Sequence, residues 1–379
     1  MVNCFIMELE NHYTHNFHPY AAKFPPYAIR SLIQQYTDIS DNVLDPFCGS
    51  GTTLVECRLL RRNATGIELN PVGRLISETK SACYTKNDID LVISAVSQLK
   101  EHCLNYNQWI QSFSSVDILA NHPHKNYWFK PHVLKELYAI KSTIDQHADN
   151  TKVHNLLMTA FSRIIVPVSN QESETRYKAI EKNVPPGHTL RLYIKVIEGY
   201  IEILKHNTDD SLCEAKIEVI GGDARDKIQC LGNGQFDFVI TSPPYINSYD
   251  YYLYHKHRIY WLGENPKLVR KLEIGGHHKV DGQTYEAAIS DYRSSLTGIF
   301  EGVSRALKPS KHFALLIGDG IVKGKTLKAD EFVEEIAKST GFTRISSHSI
   351  PLKDVSRRFI KRPKRYRKLH HVIVLRRGP

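Results

Sequence analysis

An apolar run from Phe238 to Ile240 stops abruptly in Thr241-Ser242-Pro243-Pro244-Tyr245. Proline carries no amide donor for a sheet ladder, so two in succession end a central strand. A strand this apolar is buried on both faces, the pattern of parallel sheets covered by helices on each side. Five further runs share it: "NVLDPFCGSG" (42–51), "ATGIELN" (64–70), "IEVIGGD" (217–223), "HFALLIGDG" (312–320) and "HVIVLRR" (371–377). Their length, their Val and Ile content and the helix-like stretches between them predict an α/β fold with a mainly parallel twisted sheet. Ligands of such sheets sit at the carboxyl ends of the strands. Four of those ends carry Asp45, Glu68, Asp223 and the 242–245 stretch.

Roughly 130 residues of different character separate the second and third runs. Val133, Leu137, Ile140 and Ile144 step by four and three, as do Leu190, Ile194, Ile197, Ile201 and Leu204, and Val153 to Ile165 trace one face. This spacing is helical. The chain therefore divides into a first catalytic part (1–81), a helical insertion with its own small core (82–215) and a second catalytic part (216–379).

In "VLDPFCGSGTTLVECRLL" a strand ends at Asp45, a Gly-x-Gly turn follows and a helix begins near Leu54. Glycines let backbone approach a ligand closely, and the helix start offers unpaired amides. No Gly-Lys-Ser/Thr follows for a phosphate loop, and the third glycine of a dinucleotide fingerprint is absent. Instead Glu68 lies nineteen residues after Gly49, where a carboxylate can accept both hydroxyls of a ribose. Asp45 beside the turn suits an ammonium group and would repel a pyrophosphate. Ribose plus ammonium without phosphate describes S-adenosylmethionine.

"DPFCGSGTT" resembles the cofactor motif of the amino-group DNA methyltransferases, and "SPPY" resembles their catalytic motif. "NFHPYAAKFPPYAIRSLI" (16–33) is similar to the segment that in those families wraps the methionine end of the cofactor. The matches cover roughly 12–80 and 217–252, in one consistent order. The resemblance implies a Rossmann-like class I methyltransferase domain, with the insertion as candidate target-recognition region. It implies cofactor contacts from Lys23, Phe24, Asp45, Pro46, Phe47, Gly49, Ser50, Gly51 and Glu68. Asp223 is a further candidate, for the adenine amine or the ribose, with a simple Gly-Gly-Asp turn as its plainer explanation.

An exocyclic base amine is a poor nucleophile, because its lone pair is delocalised into the ring. Methylation needs acceptors that take the amine's hydrogens and hold its lone pair toward the sulfonium methyl. Ser242, Pro243, Pro244 and Tyr245 are the catalytic candidates: the prolines fix the backbone and leave a carbonyl exposed, and Tyr245 stacks on a base swung out of the duplex. In the resembled family a first residue of Ser accompanies cytosine N4 more often, and Asp or Asn adenine N6. Cytosine N4 in double-stranded DNA is the expected target, within a restriction-modification or host-methylation system. Adenine N6 methylation, RNA base methylation and a non-catalytic DNA-binding subunit are the alternatives. A cognate restriction endonuclease is the implied partner.

The segment 353–371, "KDVSRRFIKRPKRYRKLHH", holds nine Lys or Arg against one Asp within a chain of formal charge +10. Bracketed by strand-like sequence, it reads as a tethered basic loop for the phosphate backbone, with Arg357, Arg358, Lys361, Arg362, Lys364, Arg365, Arg367 and Lys368 as contacts. The tyrosines that follow Tyr245, namely Tyr249, Tyr251, Tyr252 and Tyr254, line a base pocket or pack the next helix. Seven scattered cysteines without a C-x-x-C pair read as reduced core thiols. His12, His15 and His18 lack cysteine or carboxylate company, so no metal is expected. Trp128 and its neighbours Tyr127 and Phe129 read as a core anchor of the insertion, with contact to DNA as the alternative. No apolar stretch approaches the roughly 18 residues of a membrane span, and a cytoplasmic, DNA-associated protein is expected.

Overall fold

Strand β1 (Asn42–Asp45) lies inside a seven-stranded sheet, next to its middle strand β4 (Phe236–Thr241), with β2 (Asn63–Glu68), β3 (Ile217–Gly221), β5 (Leu307–Gly318), β6 (Phe342–Pro351) and β7 (Leu369–Arg377). A computed structural model describes residues 13–113, 119–207, 210–351 and 368–379. The order across the sheet is β6-β7-β5-β4-β1-β2-β3. The pairs β1 with β2, β1 with β4, β2 with β3 and β4 with β5 are parallel, whereas β7 runs antiparallel to both β5 and β6. The α/β reading therefore holds.

Successive side chains on the central strands go to opposite faces and into two different cores. Val43, Phe238, Ile240, Ala314 and Leu316 join Ile29 and Ile33 of α1 (Pro26–Tyr36) and Leu54 and Cys57 of α2 (Thr52–Leu59). Leu44, Val239, Phe313, Leu315 and Ile317 point the other way, onto α10 and α11 (Tyr285–Ala306 and Ala329–Ser339; α3 to α9 follow). Covering both faces explains why these strands read as continuous apolar runs. Strand β6, "FTRISSHSIP", has no such run, and hydrophobic patterning does not find it; it is an edge strand paired on one side alone, to β7.

After α3 (Pro71–Ser81), helices α4 (Lys86–Leu104), α5 (Pro131–Asp145), α6 (Thr151–Val168) and α7 (His188–Lys205) pack around a separate core. Val133, Leu137, Ile140, Leu190 and Ile197 are fully buried there, on the stripes that periodicity predicted. A Thr85/Asp88 capping box starts α4. Buried Glu136 of α5 accepts the amides of Gly187 at 2.8 Å and Thr189 at 3.0 Å, satisfying donors at the start of α7 that no helical carbonyl can reach.

Two expectations are corrected. Cys83 and Cys213, 130 residues apart, are paired as a disulfide with Cα atoms 5.4 Å apart, bridging the two points where the chain leaves and rejoins the sheet; Cys48 and Cys57 are buried free thiols. Contact between residues so distant leaves no spacing signal. Of the aromatic trio, Trp128 and Phe129 are buried in the helical core, but Tyr127 is 62% exposed. Among the described residues no helix is long and apolar enough to cross a membrane.

Candidate active site

At the carboxyl ends of β1, β2 and β4 a single cavity is walled by Lys23, Phe24, Asp45, Pro46, Phe47, Gly49, Ser50, Glu68, Asp223 and Ser242 to Tyr245. Of the candidates for cofactor contact, Gly51 alone is absent from this wall. It is the N-cap of α2 at φ +79°, and a Cβ there would meet Ser77 of α3 at 2.8 Å. Gly51 thus serves the turn and the close packing of two helices.

Asp45 is a clamp as well as a wall. Its carboxylate accepts from the hydroxyls of Thr53 and Thr241, each at 2.6 Å, and from the Phe47 amide at 3.1 Å, which ties β1 to β4 and to α2. Burial pushes its carboxyl up to about 6 despite these donors. Glu68 accepts the Asn70 amide at 2.6 Å, and burial raises its carboxyl to about 7. The helix behind it has Gly73 at the point of contact, where a Cβ would stand 2.9 Å from the Glu68 carboxyl carbon and 3.1 Å from the Tyr20 hydroxyl. Beneath the loop, buried Lys80 donates to the Ser50 carbonyl at 2.8 Å, and burial lowers its ammonium to about 7. Lys23 donates to the His15 carbonyl at 3.3 Å and to Asn16 Oδ1 at 3.2 Å.

Asp223 has two roles in the structure. It caps a short helix through the Arg225 amide at 2.9 Å, and both its oxygens receive the Arg225 guanidinium. It borders the cavity with its acceptors already engaged.

Ser242-Pro243-Pro244-Tyr245 forms the opposite wall. Tyr245 is oriented by its hydroxyl, which donates to the Leu316 carbonyl at 3.4 Å, and by an edge-to-face contact with His370 on β7. Gly318 makes room, since a Cβ there would lie 2.8 Å from the Tyr245 ring. Of the motif's carbonyls, that of Pro244 accepts the Tyr292 hydroxyl at 2.9 Å. Tyr292 lies 48 residues further on, beyond the reach of local reasoning.

Sequence reasoning missed two contributors, Tyr20 and Glu273, and left Tyr251 between a base pocket and helix packing. Tyr20 stacks on Tyr251 and His255, with ring centroids 5.8 and 5.0 Å apart, closing the cavity from the side of the helix that follows. Tyr251 lines the cavity, as does Glu273, whose carboxyl burial raises to about 8. A carboxylate between Leu272 and Ile274 was the available signal. Thr52 Oγ1, Asn70 Nδ2 and Glu273 Oε2 are buried without hydrogen-bond partners, and all three residues border this cavity. These groups need a partner that the protein itself does not supply, such as water or a polar ligand.

His15 and His18 do not line this cavity. His15 pairs with Glu56 at 2.7 Å, and His18 is held by the Pro19 carbonyl and Ser162 Oγ. His12 lies outside the described residues, as do Arg357, Arg358, Lys361, Arg362, Lys364, Arg365 and Arg367. Lys368 immediately precedes β7, whose Leu369 pairs with Pro351 at the end of β6, so the basic segment is flanked by two paired strands.

Residues 4–76 match the DNA methylase family of N6 and N4 methyltransferases. The Type II methyltransferase M.MjaII of Methanocaldococcus jannaschii is 23% identical over 248 residues, 64% of this chain and 45% of the relative. Type II methyltransferase M.BsoBI of Geobacillus stearothermophilus is 25% identical over 297 residues, 69% of this chain and 55% of the relative. The chain therefore spans about half the length of these curated relatives. A putative DNA modification methylase of Thermus thermophilus, solved in complex with S-adenosyl-L-methionine, aligns at 16% identity and a TM-score of 0.26, over 42% of this chain and 52% of that one. So slight a likeness assigns nothing to this chain.

Proposed function

We propose that this chain, a member of the amino-group DNA methyltransferase family, transfers a methyl group from S-adenosylmethionine to an exocyclic amine of a DNA base, with cytosine N4 as the target. The observation that carries the reading is one cavity shared by the Asp45–Gly49 loop, Glu68 and Ser242 to Tyr245. The donor set fits the cofactor: Glu68 suits the ribose diol, and the glycine loop with Lys23 and Phe24 suits the methionine end. Bound there, S-adenosylmethionine supplies an electrophilic methyl group on a sulfonium.

The chain's own part is to orient the amine. The motif's acceptors are the Ser242 side chain and the Ser242, Pro243 and Pro244 carbonyls, the last already accepting the Tyr292 hydroxyl through one of its two lone pairs. Two acceptors holding the amine hydrogens leave its lone pair directed along one line, which is the orientation displacement requires. Tyr245, locked by Leu316 and His370, offers a ring face for a base removed from the stack. Ser at the first position supports cytosine N4. The helical segment 82–215 is assigned to target recognition, the 353–368 segment to the phosphate backbone, and a cognate endonuclease is the proposed partner of the system.

The test is a tritium-transfer assay on duplex DNA, followed by mass spectrometry of the hydrolysed product. Label in N4-methylcytosine supports the reading. Label in N6-methyladenine reassigns the base, and transfer to RNA in preference to DNA overturns the substrate class.

A further inference from the structure

Glu273 follows α9 (Pro266–Leu272; α8 is Lys256–Trp261) and lines the cavity while 9% exposed. Its Oε1 accepts the Tyr252 amide at 2.5 Å, and its Oε2 has no hydrogen-bond partner. His278 Nδ1 is 3.9 Å from Oε2 but is committed to Asp250 Oδ1 at 2.7 Å, while His278 Nε2 meets the Arg270 carbonyl at 2.8 Å. Asp223, the other acid suited to an amine, is engaged by Arg225.

We propose that Glu273 reads a nucleobase edge that pairs a ring-nitrogen acceptor with an adjacent amino group; the inference rests on the methyltransferase reading above. An undissociated carboxyl donates Oε2–H to the ring nitrogen and accepts from the amine through the remaining lone pair of Oε1. An ionised one has no hydrogen to give. The surroundings favour the acid form: burial is the largest cause, and Asp250 and Glu68 add to it while the Tyr252 amide and Lys279 oppose it. The phenols of Tyr20 and Tyr251 also face this carboxyl. The same edge occurs on the adenine of the cofactor and on a target cytosine or adenine, so the two sources share one chemistry.

The wild type, Glu273→Gln and Glu273→Ala are compared from about pH 6.5 to about pH 9.5, a range that brackets the raised carboxyl. Gln retains one donor and one acceptor at every pH; Ala retains neither. S-adenosylhomocysteine affinity is measured by calorimetry, and kcat/KM for DNA from a methylation-free host by tritium transfer. In one of the two measurements the wild type weakens as pH rises through about 8. There Glu273→Gln stays flat at the low-pH value, and Glu273→Ala is about tenfold or more weaker throughout. The pattern in calorimetry identifies cofactor adenine; the pattern in kcat/KM alone identifies the target base. Gln as defective as Ala, or three superimposable profiles in both measurements, overturns the inference. Failure of the wild type to methylate any DNA sinks the methyltransferase reading instead, and equilibrium dialysis against adenosine then applies the same comparison to Glu273 alone.

Discussion

Tyr245 and Ser242 follow the end of β4 at Thr241, and under the proposed function they serve transfer rather than cofactor binding. Tyr245→Ala and Ser242→Ala are expected to lower methyl transfer by about 10²-fold or more while S-adenosylmethionine binding persists, read by single-turnover tritium transfer and calorimetry. Glu68 also lines the same cavity, at the end of β2. Glu68→Ala is expected to lose about tenfold or more in cofactor affinity, and calorimetry showing wild-type binding would refute its assignment to the ribose. Its titration also has a signed consequence. A carboxyl raised from 4.5 to about 7 in the fold contributes stability that is fully present below the unfolded value and is lost as pH rises toward 7. Ligand-free Glu68→Gln, which never ionises, should gain on the wild type by about 1–2 kcal/mol between about pH 5 and about pH 8 in urea denaturation, after allowance for the solvent that still reaches the side chain.

Among the elements, β1, β2, β4 and the helical stripes were legible because burial on both sides, or on one face, writes a period into the sequence. The Gly-x-Gly turn and the proline stop were legible because each is a local backbone requirement. What remained hidden depends on contacts across long separations: Tyr292 on the Pro244 carbonyl, Cys83 against Cys213, and Glu273 brought to the cavity that Tyr20 also lines. The same holds for Arg258, the fully buried guanidinium that joins α8 to the helical core. It donates to the Ser162 carbonyl at 2.8 Å and to both oxygens of Glu174 at 2.8 Å, fixing the 171–179 hairpin against the segment that follows the catalytic motif. Arg258→Ala leaves a cavity and strands these acceptors, so a loss of about 3 kcal/mol or more is expected in chemical denaturation. A loss below about 1 kcal/mol would show that the joint is not structural.

For the whole molecule, a mainly parallel sheet carries the candidate site at the carboxyl ends of its strands, a helical unit follows α3, and a basic segment of sequence joins β6 to the antiparallel β7. If that segment tracks phosphates, replacing Arg357, Arg358, Lys361 and Arg362 with Gln should flatten the plot of log affinity against log salt by up to about 3.6, at roughly 0.9 for each phosphate no longer neutralised. An unchanged slope in fluorescence-anisotropy titrations would remove the segment from the DNA interface. The central claim, methylation of a DNA base amine at the Ser242–Tyr245 wall, is tested most directly by single-molecule sequencing of DNA from a methylation-free host expressing the chain. The expected result is N4-methylcytosine at one recurring sequence, lost when Tyr245→Ala is expressed at the same level. Unmodified DNA under the wild-type protein, or modification that survives Tyr245→Ala undiminished, would contradict it.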